Sequence, residues 1–264
     1  MSTMILSNPP LKVCLLVVRF SPIEIMGDRY IPQIQDVYRT MGLPFFRTQT
    51  VAGISLSEGR PNPVTNGLAW HFFGPSKHEL VVVTKASFAF QVFSYEHYEM
   101  FKNRFLAVFD AFAETAKLTQ GIMLDSIGLR YINAIEGTDW KSYLAESYSG
   151  IMMPEGLLSP SHVPLVTSSF RGATKLPGNN VGNLVVKVIQ NDQGLVIPPD
   201  IASIDPLIVK DGVRETLLDI DHFVLLKPVA MDVQIINHFI DNLHEGSEQV
   251  FFHALSEKAV ATWK

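Results

Sequence analysis

Apolar positions along this chain follow two rhythms: short β-branched or aromatic runs closed by turn residues, and longer stretches with apolar side chains three or four residues apart. Residues 12–20 are rich in valine and leucine and bounded by Pro9-Pro10 and Pro22, the pattern of a strand buried on both faces. Residues 31–41 carry Ile31, Ile34, Val37, Tyr38 and Met41 at helical spacing, with Pro32 early and Gly42 just beyond, which predicts a short helix. Four runs follow, at 45–53, 67–74, 79–84 and 87–93, separated by turn residues such as Pro61-Asn62-Pro63 and Gly74-Pro75; an antiparallel meander is the simplest arrangement for them. Ser94 then caps a predicted helix running to about Lys117, with Tyr98, Phe101, Phe105, Val108, Phe109 and Phe112 on one face.

The second half repeats that order. Residues 123–135 predict a strand, 139–146 a short helix capped by Asp139, and 165–176 a long strand. Pro177-Gly178-Asn179-Asn180 turns into a strand at 181–190, and Asn191-Asp192-Gln193-Gly194 makes another turn. The proline-containing stretch 198–216 reads as irregular, 216–229 as strand, and Asp232 as the cap of a helix carrying Val233, Ile236, Phe239, Ile240 and Leu243; 247–255 and 256–263 read as two further short helical pieces. The expected fold is therefore α+β, with two similar halves, 9–118 and 119–264, packed together as one compact unit. Each half is expected to hold a curved antiparallel sheet on a long amphipathic helix, a helix-grip-like arrangement consistent with tandem duplication. Val18-Arg19-Phe20 and Leu129-Arg130-Tyr131 form a small echo between the two opening strands.

Composition adds bounds to this picture. Of 264 residues, 47% are hydrophobic and 18% charged, enough apolar material for a sizeable core and too much for a disordered chain. The longest apolar runs, such as 13–18, fall far short of the roughly 20 residues a membrane-spanning helix needs. The first ten residues lack a basic start followed by an apolar run, so no secretory signal is expected, and a single cysteine, Cys14, fits a reducing compartment; the expected location is the cytoplasm. Net charge is −5, and it is unevenly spread: residues 1–118 hold 11 basic and 9 acidic side chains, residues 119–264 hold 10 and 17. No cluster of lysine and arginine interleaved with aromatics marks a phosphate track, so neither a nucleic acid nor a membrane is an expected partner.

Chemistry has few places to sit. Arg130 is a permanent charge in an apolar strand, so it must be paired or face a cavity. It is a candidate anion-binding group, with Arg19 as its counterpart, and equally a candidate structural partner of Asp219 or Asp221, the second of these readings being the better supported. Asp219 and Asp221 share one strand face, a spacing compatible with acid/base work or metal ligation, but no further ligands stand at a diagnostic spacing and no metal or cofactor is expected. His244, in Leu243-His244-Glu245 near the end of the last long helix, is a further candidate, balanced by a simple interaction with the helix dipole. Cys14 reads as core, Gly53-Ile54-Ser55-Leu56-Ser57 lacks the second glycine of a nucleophile elbow, and Gly178 and Gly182 flank a turn without the lysine of a phosphate loop.

Pro10-Leu11-Lys12-Val13, Gly128-Leu129-Arg130-Tyr131-Ile132-Asn133, Leu218-Asp219-Ile220-Asp221 and Leu243-His244-Glu245, followed by Phe251-Phe252 and Trp263, together resemble the motifs of an uncharacterised, sporadically distributed bacterial protein family of about this length. That resemblance implies no activity, cofactor or catalytic residue; sporadic occurrence implies an accessory or defence setting. The functional expectation is a non-enzymatic cytoplasmic module that binds a protein partner or small ligand. The alternative is an enzyme on a small anionic substrate, with Arg19 and Arg130 for binding and Asp219, Asp221 or His244 for acid/base chemistry.

Overall fold

The valine- and leucine-rich opening run forms β1 (Leu11–Phe20), and the predicted meander forms β2 (Phe45–Ser57), β3 (Arg60–Phe73), β4 (Glu79–Val83) and β5 (Ser87–Val92). In the second half come β6 (Met123–Glu136), β7 (Ser168–Lys175), β8 (Val181–Asn191) and β9 (Glu215–Ala230). Four α-helices accompany them: α1 (Ile31–Thr40), α2 (Tyr98–Thr115), α3 (Val233–Ala254) and α4 (Glu257–Trp263). The computed structural model of the chain describes residues 6, 8–57, 60–137, 139–150, 168–191, 201 and 215–264. Expectations at 165–167 and 192–194, and nearly all of 198–214, lie outside the described residues.

The two expected sheets are not formed. All nine strands belong to one sheet, in the order β2-β3-β4-β5-β1-β6-β9-β8-β7, and the fold class read from the sequence is corrected accordingly. Alternation along a strand tells which face is apolar but not which strand occupies each edge, so the two opening strands, β1 and β6, looked like the starts of separate sheets. They are neighbours. The Ser21 amide donates to the Met123 carbonyl at 2.8 Å, and the Ala134 amide to the Pro10 carbonyl at 2.8 Å. The pairings β2–β3, β3–β4, β4–β5, β7–β8 and β8–β9 are antiparallel.

Local differences from expectation have local causes. The α2 cap is His97 rather than Ser94: the His97 Nδ1 accepts from the Met100 amide at 3.3 Å. The helix expected at 139–146 is two 3-10 turns, Trp140–Tyr143 and Glu146–Tyr148. Asp232 does start α3, its Oδ1 accepting from the Gln234 amide at 2.8 Å, but the helix continues through Ser247 to Ala254 as one piece. Ser256 caps α4 by accepting from the Ala259 amide.

Two compact units are resolved, one from Met1–Cys14, Gly128–Val224 and Ile240–Lys264 and the other from Leu15–Ile127 and Leu225–Phe239. The second unit is built on the aromatic stripe of α2. Phe105, Val108, Phe109 and Phe112 are fully buried there, with Phe88 and Phe90 of β5 against them at centroid distances of 5.1–6.4 Å. Each such side chain contributes roughly 1.5–3 kcal/mol by leaving water. Tyr38 of α1 joins this core through its hydroxyl, which donates to the Val108 carbonyl at 3.0 Å, and Arg104 grips Glu79 through Nε and Nη2 while also donating to the Met41 carbonyl. In the first unit, Leu184, Val186 and Val188 of β8 and Leu218 and Ile220 of β9 meet Trp140, Leu144 and Ala254 in a separate cluster.

Candidate functional site

Of the expected site residues, Arg130 and Asp219 form a bidentate pair within the first unit. The Arg130 Nε donates to Asp219 Oδ1 and Nη2 to Oδ2, both at 2.8 Å, with side-chain exposures of 8% and 2%. Gly128, which shares the sheet face of Arg130, has the Phe223 Cβ 3.2 Å from where its own Cβ would stand, so it admits the adjoining β9 side chain rather than opening space for an anion. Asp221 is half-buried and stands opposite Val185 of β8. His244 does not stand at a helix end as expected, because α3 continues to Ala254; its Nδ1 and the Tyr131 hydroxyl are 2.8 Å apart, and Tyr131 in turn bonds the Cys14 thiol, whose complete burial pushes it well above the ordinary range. Arg19 is exposed and belongs to the second unit, whereas the other four candidates belong to the first. No group of three or more histidine, cysteine or acidic side chains among the described residues is placed to hold a metal ion.

A different set converges. A cleft of about 700 Å³ in the first unit is floored by β-sheet residues Thr174, Leu184 and His222 and walled by α3. The wall follows from helical spacing: Asn242, Glu245, Gly246, Gln249, Val250 and His253 recur at intervals of three and four along one stripe of α3. A neighbouring stripe, Ile236, Ile240, Leu243, Ser247 and Ala254, is buried. Tyr148 closes one side, its ring 5.9 Å from that of His253, and Lys175 and Leu176 close another. Partial burial raises the Tyr148 phenol above its usual range.

At the floor, Thr174 Oγ1 and His222 Nε2 are 2.7 Å apart, although β7 and β9 are two strands apart in the sheet, about 10 Å between backbones. They meet because the strand between them contributes no side chain at that point. Gly182 of β8 stands opposite Thr174, and a Cβ there would lie 2.3 Å from Thr174 Oγ1 and 2.9 Å from His222 Nε2. The helix yields in the same way: a Cβ on Gly246 would lie 2.7 Å from His222 Cε1 and 3.0 Å from Nδ1. A glycine inside a helix costs about 1 kcal/mol relative to alanine, so two elements give up side chains to seat one imidazole.

The hydrogen bonds define the ring's state. His222 Nδ1 is 3.1 Å from the Leu243 carbonyl, an acceptor only, so Nδ1 carries the proton. Burial lowers the His222 pKa, partly offset by that carbonyl bond, and the neutral ring leaves Nε2 as an acceptor. The Thr174 hydroxyl therefore donates to Nε2. The result is a hydroxyl, an imidazole of fixed tautomer and an orienting carbonyl in line on the cleft floor.

This seating has a measurable signature. Gly246→Ala, which stabilises an unconstrained helix by about 1 kcal/mol, is expected to lower stability here because the methyl group meets the His222 ring. In a His222→Ala background the same substitution is expected to regain its stabilising sign. Urea midpoints of the wild type, both single variants and the double variant check this; additive effects would show that ring and glycine are not coupled.

From the sequence, Gly182 stands only as the flank of a turn and Glu245 only as the neighbour of His244, and Thr174, His222 and Gly246 have no assigned role. A glycine inside an amphipathic helix and another inside a strand were the available signals. The chain matches no protein-family model and no curated protein.

Proposed function

We propose that the chain is a cytoplasmic binding module for a small polar ligand, held in the first unit's cleft above Thr174 and His222. The carrying observation is the cleft itself: about 700 Å³, lined by hydroxyl, amide, imidazole and aromatic groups on a rigid helix and three strands, dimensions suited to a small molecule. Its lining includes one lysine and one glutamate, Lys175 and Glu245, so recognition by hydrogen bonding is favoured over capture of a strongly charged anion. The buried single cysteine suits a reducing compartment, and among the described residues no helix is long and apolar enough to cross a membrane. Resemblance to a sporadically distributed bacterial family adds an accessory setting to this proposal.

The test is a fragment screen of small neutral and zwitterionic molecules, read by NMR at the imidazoles of His222 and His253. Binding fragments are expected to move both signals, and Gln249→Trp, which fills the cleft from its exposed wall, is expected to weaken them at least tenfold. Fragments that bind with the cleft signals unmoved, or that bind the tryptophan variant equally well, would overturn the proposal.

A further inference from the structure

Three features of the cleft floor bear on what happens to a ligand there. The Thr174 hydroxyl donates to His222 Nε2 at 2.7 Å, within the range for a nucleophile and its base. The Leu243 carbonyl holds the far ring nitrogen at 3.1 Å, fixing the tautomer in which Nε2 can take a proton. Thr174 and His222 both line the cleft, so this line of groups opens on the ligand rather than ending in the core.

We propose that Thr174 is an acyl-accepting nucleophile and His222 its general base, acting on a small uncharged carboxylic ester. This inference rests on the reading of the cleft as a small-ligand site. The Thr174 Oγ forms a bond to the ester's carbonyl carbon as its proton passes to His222 Nε2. The adduct collapses by breaking the bond from that carbon to the ester's alkoxy oxygen, which leaves as an alcohol with the proton from Nε2. Water then adds to the Thr174 acyl ester, giving its proton to Nε2; the bond to Oγ breaks, Oγ regains the proton, and a carboxylic acid departs. The sum is ester plus water to acid plus alcohol. An acyl compound is favoured over a phosphate ester because Lys175 and Glu245 balance among the described lining residues, which show no excess of cations for a phosphoryl group.

The experiment incubates the full chain with p-nitrophenyl acetate and, separately, with the unreactive amide analogue N-(4-nitrophenyl)acetamide. Nitrophenolate release is followed by absorbance, acetylation sites by peptide mass spectrometry, and binding of the amide by NMR at His222 and His253. Acetyl on Thr174 is expected in the wild type and in Thr174→Ser. It is expected to vanish in Thr174→Val and to form about a hundredfold more slowly in His222→Gln. Thermal unfolding shows that each variant remains folded. Unmodified Thr174 with the amide still bound would overturn the nucleophile and leave the binding site standing. Unmodified Thr174 with no amide bound would overturn this inference, while the fragment screen decides the binding site separately. Acetyl confined to surface lysines would also overturn it.

Discussion

Asp219→Ala is expected to destabilise the protein by about 3–5 kcal/mol, the range found when one partner of a buried ion pair is removed. The carboxylate is 2% exposed and accepts two hydrogen bonds from a guanidinium that is 8% exposed, so the variant leaves Arg130 buried without its bidentate partner. Lys187 stands opposite Asp219 on β8, and the variant also leaves that second cation on a face that has lost a negative charge. Arg130→Met is expected to cost a similar amount for the converse reason, a buried carboxylate without its bidentate partner. The double variant Arg130→Met, Asp219→Leu is expected to recover most of the loss, because two apolar side chains need no desolvation. Urea unfolding of the four proteins at constant slope checks the cycle. A loss below about 1 kcal/mol for either single variant would mean that water reaches the pair, since exposed pairs are worth no more than that.

That pairing was partly legible. A guanidinium in a strand such as 127–133 needs a carboxylate, and the sequence offers Asp219 and Asp221 on one face of β9. Choosing between them depends on how β9 lies beside β6, which the alternation of either strand does not encode. The stripe of α2 was legible for the opposite reason: six positions at helical spacing, Tyr98 to Phe112, point one way whatever their neighbours are. Sheet order was not legible, because partner choice at a strand edge leaves no trace in which face is apolar.

The cleft was hidden by distribution. Thr174 and His222 are 48 residues apart, Gly182 and Gly246 lie on two further elements, and each alone is a commonplace residue in its element. Read from the sequence, the long helix ends near Leu243-His244-Glu245 and another piece begins at 247, and a break there divides the stripe from Asn242 to His253 so that its spacing goes unseen. Gly246 stands within the helix and leaves room for an imidazole. Helix-interior glycines with no turn residue after them therefore merit a search for a bulky side chain packed against them.

Phe109→Ala, in the second unit, is expected to cost about 3–5 kcal/mol, as large-to-small changes at fully buried aromatic positions do. Its ring packs edge-on against Phe88 at 5.1 Å and lies 5.5 Å from Phe105 and 6.1 Å from Phe112. Those neighbours are anchored on the backbones of α2 and β5, so the space left by the ring cannot close without moving a helix or a strand, and the cavity adds to the lost transfer energy. Phe109→Leu keeps most of the volume and is expected to lose a smaller part, including the edge-to-face contact worth about 0.5–1.5 kcal/mol. Met100→Ala, half-exposed on the same helix, is expected to stay within about 0.5 kcal/mol of the wild type. Denaturant midpoints order the three, and amide exchange along α2 is expected to accelerate in Phe109→Ala alone. A cost for Phe109→Ala no greater than that for Met100→Ala would mean that the stripe does not anchor the helix, and that the buried aromatic cluster is not what holds this unit together.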